Sequence, residues 1–416
     1  MSAGEQNRAS PRDDQRSPAE GAAAKGVAAN GAAPRTLIIA EIGTGHNGDI
    51  ERAAALIAAA AQAGADCAKF QYVIADEILH PATGNVALPG GEVDLYRRFK
   101  ALERPPEFYA ALADTCRSYG IEFLCTPFGC GSAAELERIG VQRYKIASPE
   151  LNHAPLLLQV ARYGRPLILS TGVSQLGDIE RAVFELSRFG APPLTLLHCI
   201  TAYPAPETQY NLRVIPLLSR LFGVPVGVSD HSRDPLLVPA VAAALGAAAV
   251  EKHITLATSG GGLDDPIAVT PVQFRRMVEL LRRLERHAPS AAQGGEGGSA
   301  DHDAARAALD AQAALDVVRS ELGPERVEAV LGDGCKRLAP AEAANYGRSN
   351  RSLRAVRHIP AGSPISVDAV AVLRTEHSLT PGLSPWHLDT VINAVAARDI
   401  ADGTGLCWDD LVQRAQ

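Results

Sequence analysis

The chain has 416 residues, of which 46% are hydrophobic and 21% charged, and its formal net charge is −7. That length accommodates one large domain and a smaller one. The acidic balance provides no basic face for nucleic acid or an anionic membrane, so an anionic ligand has to be met by individual lysines and arginines.

Residues 1–34 are Ala, Gly, Pro and charge without an apolar block, which predicts a disordered tail rather than a signal peptide. Beyond them, apolar runs of strand length alternate with helical segments. Strands are predicted at 36–42, 66–72, 121–126, 143–147, 166–171, 194–199, 224–229 and 248–253. Eight runs, apolar on both faces and separated by helices, predict a (β/α)8 TIM barrel over 35–286; a doubly wound open sheet is the alternative. Asp49 is placed to cap a helix over 50–63 and Asp178 one over 179–189. The long connection 73–105, with its Pro89-Gly90-Gly91 turn, reads as a loop folded over the barrel mouth. Residues 287–303 are rich in Gly, Ser and Ala and 304–322 are helical, so 287–348 reads as a flexible and helical linker. A small β-rich domain follows over 349–416. It contains a repeat, in which Arg357, Ile359, Gly362, Ile365 and Asp368 recur as Arg398, Ile400, Gly403, Leu406 and Asp409. The seven cysteines form no CxxC pair or disulfide framework and read as reduced thiols of a cytoplasmic protein. No apolar stretch reaches membrane-spanning length.

Chemistry-bearing residues cluster at the predicted C-terminal strand ends, where barrel enzymes keep their sites. They are Glu41, Lys69, Lys145, Ser148, Glu150, Ser170, Thr201, Tyr203, Ser229, His231 and His253. The lysines and serines suit a phosphorylated or carboxylated anion; the bland alternative pairs Lys69 and Lys145 with Glu41 and Glu150 as internal salt bridges. His231 and His253, ending consecutive strands, suit a divalent metal with open positions, or else are satisfied core histidines. Asp230 and Glu251 are candidates to orient those imidazoles. His46 either touches substrate or caps its turn, and His198 and Cys199 read as packing.

The order of short motifs resembles the sialic acid synthase family. The matching stretches include Glu41-Ile42-Gly43 with His46-Asn47-Gly48-Asp49, Lys69-Phe70-Gln71, Thr126-Pro127-Phe128, Tyr144-Lys145-Ile146-Ala147-Ser148, Ser229-Asp230-His231 and Glu251-Lys252-His253. The stretch from Arg351 through Val412 is similar to the SAF (antifreeze-like, β-clip) domain that ends those enzymes. The resemblance implies condensation of phosphoenolpyruvate with an N-acylated hexosamine, by C3 attack on the sugar aldehyde and C–O cleavage with release of phosphate. It implies that Lys69, Lys145, Ser148, Ser170 and Ser229 hold phosphoenolpyruvate. His231 and His253 match the ligands of Mn2+ or Mg2+, Glu41 the acid near the reacting carbons, and Glu150, Tyr203 and Asp264 positions around the sugar. Arg374 matches an arginine that reaches the partner's sugar site in a domain-swapped homodimer.

Departures fall on sugar-facing positions. Gly45 stands where the family commonly has Asn, Pro149 where it has Gly, and Gly91 where it has Asn, and the Pro-Gly-x-Gly after the SAF arginine is replaced by Thr375-Glu376-His377-Ser378. An altered acceptor is therefore expected, such as a bacterial deoxy-diacetamido sugar. Two competing readings are a catalytically idle carbohydrate-binding barrel and a related synthase acting on sugar phosphates.

Overall fold

The computed structural model describes residues 35–412 apart from 89–90, 191, 258–261, 263, 286–299 and 377, and the backbone alone at 87–88, 91 and 300–308. The expectations for residues 1–34 and 287–299, and for the turn at 89–90, lie outside the described residues.

In chain order the first strands are β1 (Leu37–Gly43), β2 (Cys67–Tyr72), β3 (Asn85–Leu88), β4 (Gly91–Asp94), β5 (Glu122–Pro127), β6 (Tyr144–Ile146) and β7 (Leu167–Ser170). The rest are β8 (Leu194–Cys199), β9 (Val226–Asp230), β10 (Ala249–His253), β11 (Arg351–Ala355), β12 (Val370–Arg374), β13 (Val395–Ala396) and β14 (Leu411–Val412). The helices begin with α1 (Ile50–Gln62), α2 (Leu95–Leu102), α3 (Pro106–Ser118), α4 (Cys130–Ile139), α5 (Ala154–Arg162) and α6 (Leu176–Arg188). They continue with α7 (Val214–Phe222), α8 (Leu237–Ala244), α9 (Pro271–Glu285), α10 (Ala300–Leu322), α11 (Pro324–Leu331) and α12 (Leu388–Val391).

Eight parallel strands pair in the order β5-β2-β1-β10-β9-β8-β7-β6, and β5 lies beside β6, so the sheet curls into a barrel joined by hydrogen bonds everywhere except that seam. The predicted strands are all present within two residues at each end. Side chains on a strand alternate between faces, and this alternation builds the site. Ile39, Cys67, Leu124, Ile168, Leu197 and Ala249 form an apolar layer inside the barrel. Their neighbours Ile38, Ala40, Ala68, Leu169, Leu196 and Val250 join the core between sheet and helices. Two residues beyond the inner layer come Glu41, Lys69, Thr126, Ser170, Cys199 and Glu251, which by the same phase point into the mouth. Gly227 is needed on the β9 wall, because a Cβ there would stand 2.2 Å from the Ala249 carbonyl oxygen.

Asp49 caps α1 as expected, accepting from Glu51 N and Arg52 N. Asp178 does not open its helix. α6 starts at Leu176 behind Gln175, whose N–H donates back to Asp178 Oδ2. The linker expectation also changes over its helical part. α10 and α11 pack on α8, and Ala314, Leu315, Val318, Val327, Val330 and Leu331 belong to the barrel's own core. Alanine-rich α10 shows little contrast between its faces, so its buried stripe is weak in the sequence.

The repeat closes the C-terminal domain by mutual exchange. Ile359 and Ile400, equivalent in the two copies, bond each other reciprocally at 2.9 Å. Gly362 N donates to Ala396 O at 2.8 Å, and its counterpart Gly403 N donates to Ala355 O at 3.0 Å. Ile365 N to Ala394 O is mirrored by Leu406 N to Leu353 O. Each copy thus satisfies the other's backbone about a local pseudo-twofold, and one copy alone would leave those groups unpaired. No helix among the described residues is long and apolar enough to cross a membrane.

Candidate active site

Four ionisable side chains interlock at the barrel mouth, and all are at least 96% buried. Lys69 Nζ lies 2.7 Å from Glu41 Oε2 and 3.6 Å from Glu251 Oε1. Lys145 Nζ lies 3.7 Å from Glu251 Oε2 and donates to Ser170 Oγ at 2.6 Å. Ser229 Oγ donates to Glu251 Oε1 at 2.9 Å, and Gln71 Nε2 donates to Glu41 Oε1 at 2.9 Å. Glu251 is therefore the shared counter-charge of both lysines, rather than an orienter of imidazoles. Burial raises the Glu41 carboxyl above its ordinary value against the pull of Lys69, with Glu251 adding to the rise. Burial likewise lowers Lys145, which Glu251 opposes. Two ammonium groups facing two carboxylates leave the cluster formally neutral.

Beside this cluster stand the imidazoles of His231 and His253, ring centroids 5.6 Å apart. His231 Nδ1 faces the Ile200 carbonyl at 2.8 Å, which leaves Nε2 as the nitrogen available to a ligand. Asp230, one residue out of phase, points away and binds Lys252, Tyr210 and Ser232 instead. The orienting group for His231 is thus a backbone carbonyl. Asp264 Oδ2 lies 3.8 Å from His253 Nδ1. Burial lowers His253 far below the ordinary imidazole range, with His231 and Lys69 adding to it, so this ring is neutral and fit to ligate. His231 differs: burial lowers it, but the Cys199 sulfur at 3.8 Å, the Ile200 carbonyl and Glu251 together raise it to about 9. A cation taking that nitrogen would displace a proton. Among the described residues no three His, Cys, Asp or Glu side chains gather tightly enough to hold a metal by themselves. The donor set present is therefore two imidazoles plus whatever a substrate adds, which fits an open catalytic site rather than a closed structural one.

Tyr203, 42% exposed, stacks on His231 at 4.3 Å between centroids. Ser148 Oγ accepts from Gly172 N at 3.0 Å. Glu150 is fully buried, and its Oε1 meets Arg351 Nη2 at 2.8 Å and Arg374 Nη2 at 2.7 Å. The guanidinium of Arg374 also lies 5.4 Å from the Phe128 ring centre. Within this chain β12 docks against the barrel, with Arg374 N bonded to Ile78 O in the long β2–α2 connection. Arg351 was not singled out from sequence, since its partner lies 201 residues away. His46 caps its turn, accepting from Gly48 N between the rings of Phe70 and Phe108. A cavity of about 350 Å3 lies elsewhere, outside β8 and lined by His198, Tyr210 and Lys336 among others. The chemistry is assigned to the mouth because the converging charges are there.

A family model described as "NeuB family" matches residues 56–292 and one described as "SAF domain" matches residues 350–412. The chain belongs to the NeuB family. It is 33% identical over 379 residues to the spore coat polysaccharide biosynthesis protein SpsE of Bacillus subtilis, covering 90% of this chain and 93% of that one. It is 29% identical to an N,N'-diacetyllegionaminic acid synthase of Legionella pneumophila, covering 93% and 97% respectively. The crystal structure of the Bacillus subtilis protein superposes with a TM-score of 0.72 over 92% of this chain and 96% of that one, at 31% identity. Other relatives are named pseudaminic acid synthase and N-acetylneuraminate-9-phosphate synthase. The NeuB chain described here is accordingly an enzyme of the sialic-acid-synthase type, with a C-terminal SAF domain.

Proposed function

We propose that this chain condenses phosphoenolpyruvate with the open-chain form of an N-acylated hexosamine, giving a nonulosonic acid and phosphate. The observation that carries the reading is the buried Lys69–Glu41–Glu251–Lys145 cluster set beside two imidazoles at the ends of β9 and β10. The cluster is neutral by itself, so a multiply charged phosphoenolpyruvate needs further positive charge, and a divalent cation on His231 and His253 supplies it. Bound there, Mn2+ or Mg2+ would act as a Lewis acid on the acceptor aldehyde.

In this reading Lys69 and Lys145 seat the carboxylate and phosphate, assisted by Ser148, Ser170 and Ser229, and hold C3 against the aldehyde carbon. C3 attacks that carbon, whose oxygen takes up a proton to become a hydroxyl; water adds at C2, and the resulting tetrahedral carbon expels phosphate with the bridging oxygen. Glu41, whose proton affinity burial raises, takes the proton of the adding water. Glu150, Tyr203, Asp264 and Arg374 surround the sugar. The departures at Gly45, Gly91 and Pro149 favour an acceptor other than N-acetylmannosamine. A product bearing two acetamido groups, such as the Legionella pneumophila relative is named for, requires an acceptor that already carries both.

Phosphate release measured against a panel of hexosamines tests this directly. Turnover should be highest with a diacetamido deoxyhexose, vanish with EDTA and return with Mn2+. Best turnover with N-acetylmannosamine would overturn the altered acceptor, and full activity in EDTA would overturn the metal.

A further inference from the structure

The segment joining barrel to SAF domain reaches back into the active-site wall. Glu342, in the stretch between α11 and β11, is completely buried. Its Oε2 accepts from Val173 N and from Thr201 N, both at 2.8 Å, while Oε1 accepts from Ala339 N at 3.3 Å. These two amides belong to the loops that follow β7 and β8. Asn350 Nδ2 donates to Val173 O at 3.2 Å, so both main-chain groups of Val173 are satisfied by side chains of the joining segment. Lys336 Nζ adds a bond to Thr171 O at 3.3 Å.

What these contacts hold is unusual. Val173 is β-branched yet has φ of 45°, a conformation that persists only when its surroundings impose it. Next to it, Gly172 donates to Ser148 Oγ, and a Cβ at Gly172 would stand 2.3 Å from Thr201 Oγ1 and 2.9 Å from Ser148 Oγ. The turn is therefore pressed against two residues of the mouth, directly after Ser170, the partner of Lys145. The second tethered loop leads from Thr201 to Tyr203, which stacks on His231.

We propose that Glu342 is a positioning residue: one carboxylate oxygen fixes the spacing of the two loops that wall the phosphoenolpyruvate seat. This rests on the proposed function for what the seat binds, but the tether itself is independent of substrate. Asn350 immediately precedes β11, so the same strap couples docking of the SAF domain to the shape of that wall.

Three variants and two readouts test it. In Glu342→Ala three N–H groups lose their acceptor, two of them in the loops that wall the seat, so the apparent KM for phosphoenolpyruvate should rise about tenfold or more. Hydrogen exchange at the Val173 and Thr201 amides should accelerate in parallel. Glu342→Gln, whose amide oxygen can take the Oε2 position, should restore both readouts to within about threefold of the wild type, since it forfeits the weaker Ala339 bond and the attraction to Lys336 but neither loop bond. Asn350→Ala should give an intermediate rise in KM. The proposal is overturned if Glu342→Ala lowers only the melting temperature and leaves KM and both exchange rates unchanged. Should Glu342→Ala fail to fold, unchanged KM and exchange in Asn350→Ala would overturn it equally. A wild-type protein without phosphoenolpyruvate turnover would instead sink the proposed function, while the exchange measurements still decide the tether.

Discussion

Lys145→Met is expected to lower kcat/KM for phosphoenolpyruvate by about three orders of magnitude, roughly 4 kcal/mol of transition-state binding. The reason is local charge. Lys145 is 2% exposed and shares Glu251 with Lys69, so its removal turns a neutral cluster into one with an excess carboxylate. An incoming phosphoryl carboxylate then meets repulsion where it had an ammonium donor, in a site where water screens little. Ser170 Oγ loses its partner at 2.6 Å as well. Methionine matches the aliphatic stem, so circular dichroism should show a folded protein. Steady-state kinetics with phosphoenolpyruvate as the varied substrate provides the check, and a fall of less than about tenfold would remove Lys145 from the seat.

Glu150→Ala should destabilise the folded chain by about 3–5 kcal/mol and loosen the SAF domain from the barrel. Two guanidinium groups converge on one buried carboxylate oxygen, Arg351 from β11 and Arg374 from β12. Burial pulls Arg351 down to about 10 even though Glu150 supports the charge, so losing that carboxylate disfavours the guanidinium further. Arg351 retains the carbonyls of Phe128, Glu77 and Val372, but these disperse no net charge. Without Glu150 the two cations repel each other in a water-poor interface. Thermal melting together with limited proteolysis between α11 and β11 reads the effect. An unchanged melting temperature and an equally resistant segment would show that the ion triad does not hold the domains together.

The barrel was legible because its signal is local. Each strand is a run apolar on both faces, and the two-residue period places Glu41, Lys69, Lys145, Ser170 and Ser229 on the same side. The same period could have separated Asp230 and Lys252, which face outward and pair with each other at 2.6 Å, from Ser229, Glu251 and His253, which face inward. Reading Glu251 as an orienter of histidine missed that it is the only carboxylate within 4 Å of Lys145 among the described residues. Arg351 and Glu342 were not legible, because their partners lie more than 140 residues away and nothing local marks either as buried. The packing of α10, though not its helix, escaped for a related reason: alanine on both faces of a helix gives little contrast, although Ala314, Leu315 and Val318 are in the core.

The central claim is that the mouth of this barrel breaks the C–O bond of phosphoenolpyruvate only when an amino sugar is joined to it. Phosphoenolpyruvate carrying oxygen-18 in the C2–O–P bridge tests it in one reaction. With protein, Mn2+ and a diacetamido deoxyhexose, the label should appear in the released phosphate, one phosphate per nonulosonic acid formed, and no phosphate should be released without acceptor. Label retained in the carbon product, or phosphate release indifferent to the sugar, would contradict the account.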